Sequence, residues 1–367
     1  MSRERIAICR VCGIGDAAQM TPLLRQVRED RPEAEIFCFV TENAAPVLAG
    51  VRFVDRVVPL QMDWAAPAWT NPGLFRLWSH VAAHGPFDLL LCLGPYWRQN
   101  FLSLMVPAKA RSGFVTPGWK PLRIFTHPCV VPVNASGSLT HESLKYLELW
   151  CALTGAKDRG LGYDLGTLGG TASAITAKLP RPCLCIAPGA GNALTAMDSK
   201  RWLPGHFAVL MKLAIEDGFE IVVLGCKGDI EPSLLPPGVL DLQGKTTLAQ
   251  TAAVLRASAG FLGNDSGIYH LALGLGVPAA AIFGPTSPHK TGPFRNPRSL
   301  VISSRLPCAP CLAFDCRLPA DAHPGLARPA CMAALQPASV WSQVRDFLGA
   351  SRGTSPAAAL SATATSS

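Results

Sequence analysis

The chain has 367 residues, 49% of them hydrophobic and 16% charged, with a formal net charge of +8. That length holds two domains of ordinary size, each with its own core, and the composition excludes a disordered or fibrous chain. No apolar run approaches the roughly 18 residues of a membrane-spanning helix. The first apolar run is broken by Arg10 too soon for a signal peptide, so a cytoplasmic protein is expected.

The first half alternates short apolar runs with helical patterns. RIAICRV, AEIFCFV, VDRVVPL and FDLLLCLG read as buried strands. Such alternation predicts a parallel sheet covered on both faces. In CRVCGIGDAAQMTPLLR, the turn after the first run, Gly13, Gly15 and Ala18 satisfy G-x-G-x-x-A, the fingerprint of a dinucleotide-binding loop. Asp16 stands in the middle of that turn. A carboxylate some 4 Å from a phosphate oxygen costs about 4 kcal/mol at an effective dielectric of 20. The helix dipole returns at most ~2 kcal/mol. The acidic residue that would hold a ribose is also misplaced, since Glu42 lies past the predicted end of the second strand. A pyrophosphate is therefore not expected at this turn, and a dinucleotide-dependent oxidoreductase is a distant alternative. Asp16-x-x-Gln19 is also a capping-box pattern, so helix cap and general base both stand as readings of Asp16.

Between Asp88 and Glu142 there is no acidic residue, while Arg98, Lys109, Arg111, Lys120 and Arg123 fall in that interval. Such a stretch is either a solvated basic face or a surface for an anionic partner. Nucleic acid is not expected, because the chain has no zinc-finger, RNA-recognition or arginine-rich motif. HESLKYLELWCALTG reads as a helix with Leu144, Leu147 and Cys151 on one face. The Gly/Thr/Ser-rich LGYDLGTLGGTASA reads as a linker.

The second half begins again with RPCLCIAPGAGN, a strand running into a glycine loop. After Pro204, Phe207, Leu210, Met211 and Ala214 recur at helical spacing. FEIVVLG, GFLGND and VPAAAIFGP read as strands, TLAQTAAVLRAS and SGIYHLALGLG as helices. Three strand-end loops carry chemistry. PGAGNALTAMDSKRW brings Lys200, GNDSGIYH brings Asp265 with the Ser266 and Gly267 amides at a helix start, and FGPTSPHKTGPF follows the next strand. Their arrival at successive strand ends points to an anionic ligand. Cys308, Cys311, Cys316 and Cys331 could clasp a structural zinc-like ion, but no metal is the preferred reading, with reduced packing or a redox-sensitive pair in its place. PASVWSQVRDFLGA reads as a closing helix, and SRGTSPAAALSATATSS as a disordered tail. The expected layout is residues 1–170, an N-terminal domain with its linker; 171–335, a C-terminal domain; 336–350, the closing helix; and 351–367, the tail.

Taken together, GIGDAAQMTPLLR, PGA…SKRW, GKTTLAQTAAVL, GNDSGIYHLALGLGVP and FGPTSPHKTGP resemble, in order, the sequence blocks of glycosyltransferase family 9, the ADP-heptose:lipopolysaccharide heptosyltransferases, across most of residues 5–345. The resemblance implies an α/β protein of the GT-B fold: two Rossmann-like, doubly wound domains with a cleft between them, donor nucleotide on the C-terminal one and acceptor on the N-terminal one. It implies an inverting, metal-independent transfer of heptose from ADP-heptose to a lipopolysaccharide core acceptor. No cofactor is required beyond that nucleotide-sugar substrate. The acceptor is an anionic lipid-linked saccharide, which would bring the protein to the inner membrane face. Members with another nucleotide-sugar donor or a protein acceptor are the alternative.

By the same resemblance Asp16 matches the general base, Lys200 the lysine that neutralises the departing diphosphate, and Thr195 a donor-contacting hydroxyl. Asp265, Ser266, Gly267 and His270 match the donor site, the helix amides for phosphate and Asp265 for sugar hydroxyls, and Asp229 the acid that holds the adenosine ribose. Arg98, Lys109, Arg111, Lys120 and Arg123 are the candidates for acceptor phosphates. The chemistry agrees, since an oxocarbenium-like transition state with a departing diphosphate needs cations and amides at the leaving group.

Overall fold

The computed structural model describes residues 3–61, 72–94, 103–115, 125–130, 140–170, 175–179, 182–192, 195–196, 198–313, 315–316, 318–319 and 322–352. Two compact units emerge: Met1–Gly170 with His289–Arg295, and Thr171–Pro288 with Asn296–Ser367. Among the described residues no helix is long and apolar enough to cross a membrane.

The first unit is built on β1 (Arg5–Arg10), β2 (Glu35–Thr41), β3 (Arg56–Leu60), β4 (Phe87–Cys92), β5 (Ala108–Val115) and β6 (His127–Val130), with helices α1 (Ile14–Asp30), α2 (Ala45–Leu48), α3 (Pro72–Ala83) and α4 (Glu142–Thr154). Its sheet runs β3-β2-β1-β4-β5-β6, every pair parallel. This is the doubly wound order whose direction reverses between β1 and β4, and ligands of such sheets bind at the carboxyl ends of the strands at that reversal. Helix α1 carries Pro22 in its interior. Proline has no N–H for the Ala18 carbonyl, and the Thr21 hydroxyl donates to that oxygen instead, at 2.7 Å.

Helix α4 buries Ser143, Tyr146, Leu147, Leu149 and Trp150. The expected face of Leu144, Leu147 and Cys151 is thus rotated, because the two aromatics outweigh the smaller apolar residues and carry polar tips that need partners. The Trp150 indole N–H donates to Asp30 at 2.8 Å. His141 caps α4: its Nδ1 accepts from the Ser143 N–H at 3.1 Å, which leaves Nε2 to donate to the Gly292 carbonyl at 3.0 Å. Gly155 closes the helix in the left-handed region, φ 73°. The predicted linker packs back on this unit as far as Gly170, with Leu165 fully buried and the Asp164 N–H on the Thr21 hydroxyl.

The second unit repeats the plan with β7 (Cys183–Ala187), the two-residue pair β8 (Gly191–Asn192) and β9 (Thr195–Ala196), α5 (Pro204–Glu216), β10 (Glu220–Val223), β11 (Leu240–Asp241), α6 (Leu248–Ala257), β12 (Gly260–Asn264), α7 (Gly267–Gly274), β13 (Ala279–Phe283), α8 (Pro288–Thr291, which runs into the first unit's segment), β14 (Ser299–Ser303), α9 (Ala330–Ala333) and α10 (Pro337–Arg352). The sheet order β11-β10-β7-β12-β13-β14 is the same reversal, again all parallel. All five residues of β7, β12 and β13 are buried, as expected of strands covered on both faces. Phe207, Leu210, Met211 and Ala214 form the buried face of α5 as the spacing predicts. Helix α10 joins the same core through Val340, Trp341, Val344 and Leu348. Of the predicted tail, residues 351–367, Ser351 and Arg352 instead end α10, and residues 353–367 lie outside the described residues.

Candidate active site

In the first unit the reversal point is occupied by charge. Gly13 is the N-cap of α1 and Asp16 sits at N3. Asp16 Oδ2 accepts the Gly13 N–H at 3.0 Å. The expectation of Asp16 as the cap with Gln19 as its reciprocal partner is corrected. The helix starts earlier, and since Gly13 has no side chain only the reach-back half of the box exists. Asp16 Oδ1 lies 3.3 Å from Arg10 Nη2, with the Asp16 side chain 37% exposed and that of Arg10 9%. Arg10 is the last residue of β1, and its Nη1 donates to the Leu93 carbonyl, just past β4, at 3.0 Å. Its guanidinium lies 5.8 Å from the Tyr146 ring centroid. Burial alone would lower the Arg10 pKa, but Tyr146 and Asp16 outweigh it and raise it. Asp16 thus presents a held but accessible carboxylate.

The second unit's reversal point is also charged, but its carboxylate is enclosed. Asp265 follows β12 and is 3% exposed, with Lys200 Nζ 3.3 Å from Oδ2 and His270 Nε2 3.6 Å from Oδ1. Burial would raise the Asp265 pKa, yet His270, Lys200 and Thr286 together hold the carboxyl well below the usual carboxylate range. Next in the chain, Ser266 caps α7 without a side-chain bond of its own, and its buried hydroxyl has no partner among the described residues. The amides of Gly267 and its successors open the helix, a ready anion site.

Lys200 is placed by its neighbours. The buried Trp202 fixes the segment, its backbone N–H on Asn264 Oδ1 at 3.1 Å and its indole N–H on the Leu335 carbonyl at 3.0 Å. Asn264 in turn donates to the Pro188 carbonyl at 2.7 Å, tying the ends of β7 and β12 together. Arg201 Nη2 reaches Asp229 Oδ1 at 3.3 Å, and Asp229 Oδ2 accepts the Cys226 N–H at 2.7 Å. The Asp229 carboxylate lies directly over Gly189, where a Cβ would stand 2.2 Å from it, so a side chain at 189 would displace that carboxylate.

Residues 75–320 match the model of glycosyltransferase family 9 (heptosyltransferase). The chain belongs to that family. It is 29% identical over 309 residues to lipopolysaccharide heptosyltransferase 2 of Escherichia coli, covering 77% of this chain and 83% of that one. The fold is shared with the Veillonella parvula family 9 glycosyltransferase (TM-score 0.72, 18% identity, 94% and 97% of the two chains). It is shared equally with the E. coli heptosyltransferase WaaC solved with ADP (TM-score 0.70, 17% identity, 94% and 99%). The protein is therefore a glycosyltransferase, and the expected architecture of two Rossmann-like parallel sheets is the one observed.

Within this family 9 chain, Lys200, Asp265, Ser266, Gly267 and His270 come together at one reversal point, with Asp229 held through Arg201 beside Lys200. Thr195 forms the β8–β9 ladder opposite Asn192 through its backbone. Of the basic stretch, Arg98, Lys120 and Arg123 lie outside the described residues. Lys109 stands near the start of β5, 2.7 Å from Asp88 near the start of β4, at the amino end of the sheet. Asp16 lies at the carboxyl end, so the structure does not bring the two together. Arg111 spends its guanidinium on the Ser103 and Val106 carbonyls.

Cys308, Cys311, Cys316 and Cys331 line one cavity of about 190 Å³ in the second unit, with free thiols. Among the described residues no three His, Cys, Asp or Glu side chains are grouped to hold a metal ion. Burial and the neighbouring thiols push Cys331 up to about 11. Cys316, despite its own burial, is drawn below the usual thiol range by the Leu318 N–H and Arg328. Four residues escape a reading from sequence: Arg201 and Thr286, which meet Asp229 and Asp265; Asn264; and Arg10, whose signal is a lone charge at the end of an otherwise apolar strand.

Proposed function

We propose that this glycosyltransferase moves heptose from ADP-heptose to the core of lipopolysaccharide, with inversion. The observation that carries the reading is the second unit's reversal point, where Lys200, fixed by a buried carboxylate, stands with the opening amides of α7 in a protein of this family. A diphosphate leaving group needs that combination. The E. coli relative is a lipopolysaccharide heptosyltransferase, and the WaaC neighbour holds ADP.

In this reading an acceptor hydroxyl oxygen bonds to the anomeric carbon while its proton passes to Asp16. The bond from that carbon to the diphosphate breaks, and its electron pair leaves on ADP. Lys200 and the α7 amides stabilise the charge that develops there. Asp265, expected to meet sugar hydroxyls, is instead enclosed with Lys200 and His270 on its two oxygens, so Asp265 and His270 set the position of Lys200, and Asp229 with Thr195 completes the donor side at the ribose and nearby hydroxyls. The lipid-linked acceptor places the reaction at the inner membrane face.

Thermal unfolding against ADP, UDP, GDP, NAD and NADP tests the donor. A ligand at about 100 times its Kd adds roughly 2.7 kcal/mol of stability, and ADP alone is expected to raise Tm. ADP release from ADP-heptose is then expected with a heptose-deficient lipopolysaccharide acceptor. A selective shift with NAD or NADP, or release only with a protein acceptor, overturns the reading.

A further inference from the structure

The two units solve one structural problem differently. Each must join the strand ends on either side of its reversal point. The second unit does so with a neutral amide, Asn264 donating to the Pro188 carbonyl. The first uses a guanidinium, Arg10 donating to the Leu93 carbonyl. Joining strand ends therefore does not demand a charge. The charge is also costly, because Arg10 is 8% exposed and its Nε has no hydrogen-bond partner among the described residues. Tyr146, beneath the guanidinium, likewise keeps a buried hydroxyl without one. A buried donor left unmade is destabilising, so residue 10 is not optimised for stability. What the guanidinium adds over an amide is the second arm, Nη2, which meets Asp16 Oδ1.

We propose that Arg10 is the positioning residue of the transfer reaction, clamping the Asp16 carboxylate in the orientation from which it accepts the acceptor's proton. This rests on the reading of Asp16 as the base. Two contacts define the carboxylate plane, the Gly13 N–H on Oδ2 and Arg10 on Oδ1. They use two of roughly four lone-pair directions, leaving the others for the hydroxyl. The fork geometry matters, since one side chain must reach the Leu93 carbonyl and Asp16 together, which a lysine ammonium on its flexible stem does not reproduce. Other groups around the guanidinium do not compete for this role. Cys12 and Tyr146 are buried and neutral, with pKa values raised by burial, and Glu142 is paired with Lys145 at 2.9 Å.

The test is a double-mutant cycle on the full chain with Arg10→Met and Asp16→Asn, reading kcat, donor KM and ADP affinity. Arg10→Met is expected to lower kcat about 10–100-fold, the scale of a misplaced catalytic group, with donor KM and ADP affinity unchanged. In the Asp16→Asn background the same change is expected to cost almost nothing further, because residues that act as one unit are not additive. Arg10→Lys is expected to fold and to recover only part of kcat. Additive losses, an unchanged kcat in Arg10→Met, or wild-type kcat in Arg10→Lys overturns the positioning role. If Asp16→Asn alone keeps its turnover, it is the general-base reading that fails.

Discussion

The two reversal points share a plan and differ in what they do with a carboxylate. Both units use the same strand order, and in both an aspartate arrives where a strand hands over to a helix. Asp16, one turn into α1, keeps 37% of its side chain exposed, with one cation and one amide on it. Asp265, just ahead of α7, is 3% exposed and enclosed by Lys200, His270 and Thr286. A proton acceptor must be reached by its substrate. A residue that fixes a lysine for a diphosphate must not be reached by anything else. In the proposed reading, nearly the same local fold yields a proton-accepting carboxylate in one unit and a scaffolding carboxylate in the other. The two also stand differently to the helix start, Asp16 at N3 of α1 and Asp265 one residue before the Ser266 cap of α7.

If that division is right, the largest effect comes from Asp16. Asp16→Ala is expected to lower turnover about 10²–10⁴-fold, the range of general-base assistance, while the ADP-induced rise in Tm stays at its wild-type size. Loss of both together would mean that the two carboxylates do not have separate duties. Lys200→Ala is expected to show the reverse bias. ADP affinity falls about 10–100-fold, as hydrogen bonds to charged groups contribute ~1.5–3 kcal/mol. Equal ADP affinity in isothermal titration would place the diphosphate away from α7.

The unevenness of the two sites is also what made one more legible than the other. Strands such as CLCIA and AAAIF are continuous apolar runs because both sheet faces are covered, so β7, β10, β12 and β13 of the second unit can be read straight from sequence, whereas the two-residue β11 and the half-buried edge strand β14 cannot. Its site is legible too, because Lys200, Asp265 and Ser266 all sit in glycine-marked loops at strand ends. β5, AKARSGFV, hides as a strand because Lys109 and Arg111 interrupt it, and those same residues then read as a basic surface. In the sheet one pairs with Asp88 and the other is consumed by backbone carbonyls. Arg10 is hidden for a different reason. Its defining partner is the Leu93 carbonyl, a backbone atom 83 residues away, which no residue type announces. The Asp16 cap was misregistered because a glycine N-cap carries no side-chain signature.

The smallest effect sharpens the scaffold half of the comparison through pH. The folded-state pKa of Asp265 is depressed below its ordinary value, which in an unfolded chain is near 3.9. Such a group stabilises the fold fully above the unfolded value, and the contribution fades as pH falls through the lower folded one. Asp265→Asn keeps an acceptor oxygen but loses the charge opposite Lys200. It is expected to cost about 1.5 kcal/mol at pH 7, the low end for a charge-assisted contact, or roughly 3–6 °C in Tm. The gap between wild type and variant should hold steady from pH 7 to about pH 5 and narrow only below about pH 4. A gap that already closes between pH 6 and 7 would remove the Asp265 carboxylate as the source of that stability.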